Sequence, residues 1–448
     1  MKIITTTYAE GAAHTAVTEA ALLPEAGQQE TRVLNIHPGA VFQRVLGFGG
    51  AVTDAAGSVY ARLGEAERRE FIGACYGPEG LAYTLGRTHI DSCDFSEGMY
   101  AADDDPADEA LARFDMSRPG KYVFPLLDDI SAVQPALRLM LAPWSPPAYM
   151  KDNASRVGGG RLLPEYRRRW ARYIARYASE LAARGYHPFA LTSQNEPDAV
   201  QTWDSCLYSP EEERIFLRDH LAPELERAGL GELVLAVWDH NKERLYERVD
   251  AICSDPAADR LVGAAAYHWY SGDHFGALRL VRAKYPDKLL IFTEGCIEYS
   301  LFDGAAQLAN ARRYAREILH GLNAGMNAFL DWNILLDSEG GPNHVGNFCE
   351  APVMANADGT LRYNLSWHYI RHFSRHIRPG AAVLGSSCFD EAGHAFCAVR
   401  NPDGSTAAVL LNTGDGDESC FLRINGRIAE IACPAGSIST LLIGEGEA

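Results

Sequence analysis

Eight short apolar runs recur between residues 44 and 333, separated by loops rich in Gly, Pro and aromatic residues and by longer helical stretches. They read RVLGFGG (44–50), AYTLGRTHI (82–90), LRLMLAPW (137–144), FALTSQNEP (189–197), ELVLAVWD (232–239), LVGAAAYHWY (261–270), KLLIFTEG (288–295) and MNAFLDWN (326–333). Strands that are apolar throughout suit a parallel sheet covered on both faces. The intervening stretches carry helical signals. In PEYRRRWARYIARYASELAARG, Trp170, Ile174, Tyr177 and Leu181 share one stripe, arginines lie opposite, and Gly185 is a stop. SPEEERIFLRDHLAPELERAG opens with Ser209 as N-cap, Pro210 at the first helical position and three glutamates in the first turn. AAQLANARRYAREILHGLNAG and NLSWHYIRHFSRHI also read as helices.

Eight β-then-α units over roughly 340 residues predict an α/β fold, a (β/α)8 TIM barrel, across residues 41–379. A doubly wound open sheet is the rival. After Pro379 the helical runs stop. Short alternating segments take over, with a PDG turn, so residues 380–448 read as a β-sandwich side domain. The weaker strands of residues 1–40 can complete it, since chain termini often lie close together. The side domain is thus expected to be built from both chain termini.

Composition narrows the function. The formal net charge of -18 argues against a nucleic acid or an anionic membrane as partner. The 10 cysteines form no C-x-x-C pair and read as buried thiols in a reducing compartment. The start, MKIITTTYAEGAAHTAV, lacks the apolar core of a signal peptide, and no run approaches the ~20 apolar residues of a membrane span. The expectation is a cytoplasmic protein. A secreted chain with its signal removed would read the same way.

In a barrel the active site lies at the C-terminal ends of the strands. Those ends carry Arg87 and, just beyond, Asp94 (second run), Trp144 (third), Asn195 and Glu196 (fourth), Trp238 and Asp239 (fifth). They continue with His268, Trp269 and Tyr270 (sixth), Glu294 (seventh), and Asp331, Trp332 and Asn333 (eighth). Glu196 and Glu294 each follow an apolar strand directly, and strands four and seven face each other across a barrel mouth. A single glutamate there is ordinarily a turn residue. Two that converge among tryptophans and amides point to glycoside hydrolysis. Tryptophan faces stack on sugar rings, and one carboxyl group protonates the leaving oxygen. The other attacks the anomeric carbon or activates water.

Other motifs are weaker. GFGG and the Gly158–Gly160 run match neither phosphate-loop pattern and read as tight turns and a flexible loop. His368, His372 and His376 recur every four residues, a spacing that can hold a metal, but their helix also carries Trp367, Tyr369, Ile370 and Phe373 and reads as packing outside the barrel. Cys296 lacks a histidine partner for a thiol nucleophile. Asp198 has no catalytic partner and is expected to be structural.

GFGGAVTDAA, CDFS, WSPPAYMK, QNEP, YHWY, TEG and DWNILLDSEGGPN occur in order from Gly47 to Asn347 and together resemble glycoside hydrolase family 30, the glucosylceramidase family. The resemblance implies a (β/α)8 barrel with a β-sandwich made from both termini. It implies a retaining double displacement with Glu196 as general acid/base and Glu294 as nucleophile. Asp94, Trp144, Asn195, Trp332 and Asn347 align with sugar-binding positions. Arg87 would position the carboxylates, and His268 and Tyr270 would line the site near the nucleophile. No metal or organic cofactor is implied. Tyr149 and His344 stand where related members often carry tryptophan, which bears on the aglycone.

The expected enzyme is a β-glucosidase acting on glucosides or glucosylceramide-like lipids, with a place in carbohydrate or sphingolipid metabolism. A β-1,6-glucanase or β-xylosidase is the alternative, and an inactive carbohydrate-binding protein the alternative from another class. The mechanism asks for a protonated Glu196, whose pKa burial and Glu294 would raise, and for an ionised Glu294 held so by Arg87. The carboxyl groups should lie about 5–5.5 Å apart.

Overall fold

All eight apolar runs are strands of one closed parallel barrel. In the computed structural model, which describes residues 1–298 and 306–446, they are β1 (Gly47–Ala51), β2 (Leu85–Ile90), β3 (Arg138–Pro143), β4 (His187–Thr192), β5 (Val234–Asn241), β6 (Val262–His268), β7 (Leu289–Glu294) and β8 (Ala328–Asp331). Closure, with β8 paired to β1, excludes the open doubly wound sheet. GFGG is β1 itself rather than a turn. A side chain at Gly49 would meet the Leu85 carbonyl oxygen at 2.0 Å, so glycine lets β1 lie against β2.

The barrel interior is filled by Leu85, Met140, Ala190, Ala236, Ala264, Ala266, Ile291, Ala328 and Leu330. Side chains alternate along a strand, so the next inward position two residues on reaches the mouth. That rule delivers Arg87 after Leu85, His268 after Ala266 and Trp332 after Leu330. The residues between them, such as Tyr267 and Phe292, point outward and pack under the helices.

The expected helices form. The stripe of Trp170, Ile174, Tyr177 and Leu181 is buried on Arg167–Ala183, and Gly185 ends the segment at φ 88°. Ser209 caps Pro210–Ile215 in a full capping box with Glu212. That helix continues through a wider π-turn segment, Phe216–Leu221, into Ala222–Arg227. Helix Gln307–Ala324 covers the third predicted segment, whose first residue, Ala305, lies outside the described residues. The fourth segment contains helix Leu365–Ser374.

The side domain is a ten-stranded sheet in which strands from both ends of the chain are interleaved. Lys2–Ala9 pairs with Ile438–Ile443, and Val33–Arg44 lies between Ala382–Ser387 and Glu418–Ile424. Arg44 still belongs to this sheet, and the barrel begins at Gly47, a few residues past the expected boundary. Strand Thr406–Asn412 is buried throughout because its two faces have different partners. Ala408 and Leu410 join the sandwich core with Ile3, Leu34, Phe396, Leu422 and Leu441. Ala407, Val409 and Leu411 face the barrel's helix layer.

The histidine row sits at that junction. His372 is buried, with Nδ1 2.8 Å from Thr440 Oγ1 and Nε2 2.8 Å from Thr6 Oγ1. Thr440 donates its own hydroxyl to the His372 carbonyl, so His372 Nδ1–H donates and Nε2 accepts from Thr6. This histidine spends both ring nitrogens tying a barrel helix to one strand from each terminus. Asp198 is likewise structural, accepting from Arg244 and Arg248.

Candidate active site

Two β-bulges shape the barrel mouth. Between β5 and β6, Ala266 pairs with Trp238 and Tyr267 with His240, which leaves Asp239 as an extra residue. Between β6 and β7, Tyr267 pairs with Phe292 and His268 with Glu294, leaving Thr293 extra. A bulge turns the side chains beyond it to the other face. In β5 it requires positive φ at Trp238 (76°) and Asp239 (49°). Trp238 therefore packs into the helix layer, and Asp239 points inward. The Trp238 amide donates to buried Glu213, which Ser193 and Arg248 also bind, so the bulge is anchored from outside. In β7 the bulge turns both Thr293 and Glu294 inward, and Thr293 Oγ1 donates to Asp239 Oδ1 at 2.5 Å.

Arg87 is the hub. Nη1 donates to Glu294 Oε2 at 2.7 Å, and Nη2 donates to Asn195 Oδ1 at 2.7 Å and Asp239 Oδ2 at 2.9 Å. Its guanidinium lies 4.9 Å from the ring centre of Trp144 and 5.4 Å from that of Trp332, and those indoles stack on each other at 5.3 Å. Fully buried, this cation is matched by charge-assisted bonds and aromatic faces.

His268 is the second hub. Its Nε2 lies 3.1 Å from Asp239 Oδ1 and its Nδ1 3.2 Å from Glu196 Oε1. The same Nδ1 is 4.0 Å from Glu294 Oε1. Because both distances start from one atom, the gap between the two glutamate oxygens cannot exceed their sum. That admits the retaining spacing of about 5–5.5 Å and excludes most of the inverting range of about 6.5–9.5 Å. Glu196 sits at φ 48°, strained for a non-glycine residue, as is common where function fixes a side chain.

The electrostatics correct one expectation. Burial does raise the Glu196 pKa, but hydrogen bonds and charge from His240 and His268 outweigh it and hold the carboxyl well below its ordinary value. The proton lies instead on His268. Burial pulls its pKa down, but the surrounding Glu294, Asp239 and Glu196 carboxylates push it up to about 9. Asp239 is held low because Arg87 and His268 overcome its burial. Asp94 is raised, by burial first and by Glu294 second. Asn347 donates to Asp94 Oδ2 at 2.9 Å, while Oδ1 is buried without a partner and available to a ligand hydroxyl.

Above these groups is a cavity of about 260 Å³, small beside the about 300–1,000 Å³ of drug-sized ligand pockets. Eight residues expected at the site line it: Glu196, Glu294, Asp94, Trp144, Asn195, Tyr270, Trp332 and Asn347. Tyr270 donates to Glu294 Oε1 at 3.1 Å. Arg87, expected to position the carboxylates, and His268, expected to line the site near the nucleophile, do not line the cavity. They lie beneath it and touch the carboxylates. Asp331 faces Tyr314 in the helix layer. Tyr149 packs on Tyr166, and His344 bonds the Ser96 carbonyl, so neither lines the cavity. The sequence reading did not single out His240, Gln201, Trp203, Glu298 and Cys349, which do line it. His240 follows Asp239 directly and carried a usable signal, whereas Trp203 and Gln201 come from a loop with no periodic pattern. Cys296 also lines the cavity, but a hydrogen bond with Cys349 and burial push its thiol pKa up, as suits an inert group.

The comparisons agree with this geometry. Residues 45–377 match the glycosyl hydrolase family 30 TIM-barrel domain, and residues 380–441 match the glycosyl hydrolase family 30 beta sandwich domain. The crystal structure of SrfJ from Salmonella typhimurium superposes with a TM-score of 0.94 at 36% identity, covering 98% of each chain. The structure of an endo-beta1,6-glucanase superposes with a TM-score of 0.87 at 26% identity, over 98% of this chain and 99% of that one. The lysosomal acid glucosylceramidase of Mus musculus is 28% identical over 86% of this chain and 78% of its own length. The chain belongs to glycosyl hydrolase family 30, and it is a retaining β-glycosidase.

Proposed function

We propose that Glu294 is the nucleophile and Glu196 the general acid/base, and that the substrate is a β-glucoside of the glucosylceramide type. The observation that supports pairing these two carboxylates is their shared approach to His268 Nδ1, 3.2 Å from Glu196 and 4.0 Å from Glu294, which keeps them close enough for a double displacement. In the first step a Glu294 oxygen attacks the anomeric carbon as the bond to the leaving oxygen breaks, and that oxygen takes a proton from Glu196. In the second, water gives a proton to Glu196 and attacks the same carbon, breaking the ester bond to Glu294. Tyr270 and Arg87 hold one oxygen each of Glu294 and so aim it. Glu196 is armed from below: transfer of the His268 Nδ1 proton to Oε1, across 3.2 Å, turns the carboxylate into the acid.

Likeness to the mouse glucosylceramidase supports the glucoside reading. A β-1,6-glucan is the second reading, supported by likeness to the endo-beta1,6-glucanase over nearly the whole chain. The small cavity favours a single sugar unit. Scattered thiols with no C-x-x-C pair support a reducing, cytoplasmic setting. The deciding experiment is a panel of aryl β-glucoside, xyloside, fucoside and galactoside with gentiobiose and glucosylceramide. Preference for gentiobiose over glucosylceramide would replace the first reading by the second, and xyloside preference would replace both.

A further inference from the structure

One cluster at the cavity floor has a geometry that proton transfer alone does not need. Glu196 Oε1 lies 3.2 Å from His268 Nδ1 and 3.4 Å from His240 Nδ1, and the three ligand atoms all lie within 4.8 Å of one another. A tetrahedral zinc ion with bonds of about 2.0–2.1 Å has ligand-to-ligand edges of about 3.3–3.4 Å. Two edges of such a site are therefore already set. Closing the third needs a turn of the His240 ring, whose buried Nδ1 makes only the 3.4 Å approach to Glu196 Oε1.

The surroundings fit a metal ligand set. His268 gives its Nε2 proton to Asp239, which Arg87 and Thr293 fix in turn. This carboxylate–histidine arrangement orients the ring, as outer partners of metal-bound histidines do, and Nδ1 can bind a cation that displaces its proton. His240 and Glu196 line the cavity, so a cation can enter and a fourth position faces solvent. Glu294 Oε1, 4.0 Å from His268 Nδ1, stands close enough to supply that fourth ligand.

We propose that Glu196, His240 and His268 form a binding site for a transition-metal cation of the zinc class, and that the cation inhibits the enzyme. It takes the place of the proton between Glu196 and His268 and blocks the oxygen that must protonate the leaving group. The binding claim stands on this geometry. The inhibition claim rests also on Glu196 being the acid/base.

The test is titration of the full chain with Co2+, followed by its visible absorption, with displacement by Zn2+. One equivalent should bind with tetrahedral-type bands. His240→Ala and His240→Asn should each weaken binding at least about tenfold, the scale on which even outer-shell partners act. A Cys296→Ser/Cys349→Ser double variant should keep the bands, which separates this site from the thiols in the same wall. No binding, binding indifferent to His240, or binding lost with the cysteines would overturn the site. Zn2+ should inhibit turnover of a β-glycoside with a poor leaving group, which needs that acid. Binding that follows His240 without inhibition would keep the site and overturn the role given to Glu196.

Discussion

Glu196 and His268 meet at 3.2 Å, Oε1 to Nδ1, at the floor of the cavity and out of reach of bulk water on the histidine side. The pair holds one proton between them near neutral pH, and that proton sits on the imidazole. The alkaline limb of kcat/KM should therefore follow loss of the His268 proton, near pH 9, rather than titration of an ordinary glutamic acid. His268→Gln removes this reservoir and should move the limb to lower pH. An unmoved limb in that variant would remove His268 from the proton path.

Glu294→Gln should abolish turnover of every β-glycoside tested. Glu196→Gln should lose about 10²–10⁴-fold in kcat/KM on poor leaving groups, the range for general acid catalysis, and far less in kcat/KM on activated aryl glycosides, whose first step needs little acid assistance. Values of kcat/KM against leaving-group acidity check this. Equal losses on all substrates would remove Glu196 from the acid role.

Arg87 binds three acceptors from three strands, or their following loops, with two terminal nitrogens. A lysine is a point charge and cannot bridge them. Arg87→Lys should lower both kcat and thermal stability, and Arg87→Met should cost more, on the order of 3–5 kcal/mol, because Glu294 and Asp239 then stay buried without a cation. Denaturant unfolding of the two variants measures it. Wild-type stability in Arg87→Met would contradict the hub role.

The junction of barrel and side sheet should be acid-labile. Burial, with the charge of neighbouring cations, pushes His372 from 6.5 down to about 3, so it is neutral in the folded protein. The unfolded chain takes up a proton below about 6.5 and the folded chain does not. Stability should thus fall as pH drops from there towards 3. His372→Gln, which does not titrate, should flatten that slope in melting curves taken across the range. A slope identical to wild type would assign the acid lability elsewhere.

Much of the site follows from a two-residue repeat read along each strand. Leu85 to Arg87, Ala142 to Trp144, Ala266 to His268 and Leu330 to Trp332 all obey it. The bulges break it. Counting by two from Ala236 puts Trp238 inside and Asp239 outside, and counting from Ile291 puts Glu294 outside. The structure reverses all three. Nothing in VWDHN or IFTEG marks an extra residue, because it is set by pairing with a neighbouring strand and by Glu213 from a distant helix. The lowered Glu196 pKa was hidden for a related reason. It depends on His240 and His268, which reach Glu196 only once β5 lies beside β4 and β6 beside β5.

The side sheet also constrains the order of events during synthesis. Lys2–Ala9 and Ala12–Glu19 can form a hairpin as soon as they leave the ribosome. The other edge of Lys2–Ala9 is satisfied by Ile438–Ile443, more than four hundred residues later. Through the making of the whole barrel, that edge stays open and able to pair with another chain. Lys2–Ala9 thus waits for Ile438–Ile443 before its second edge is closed.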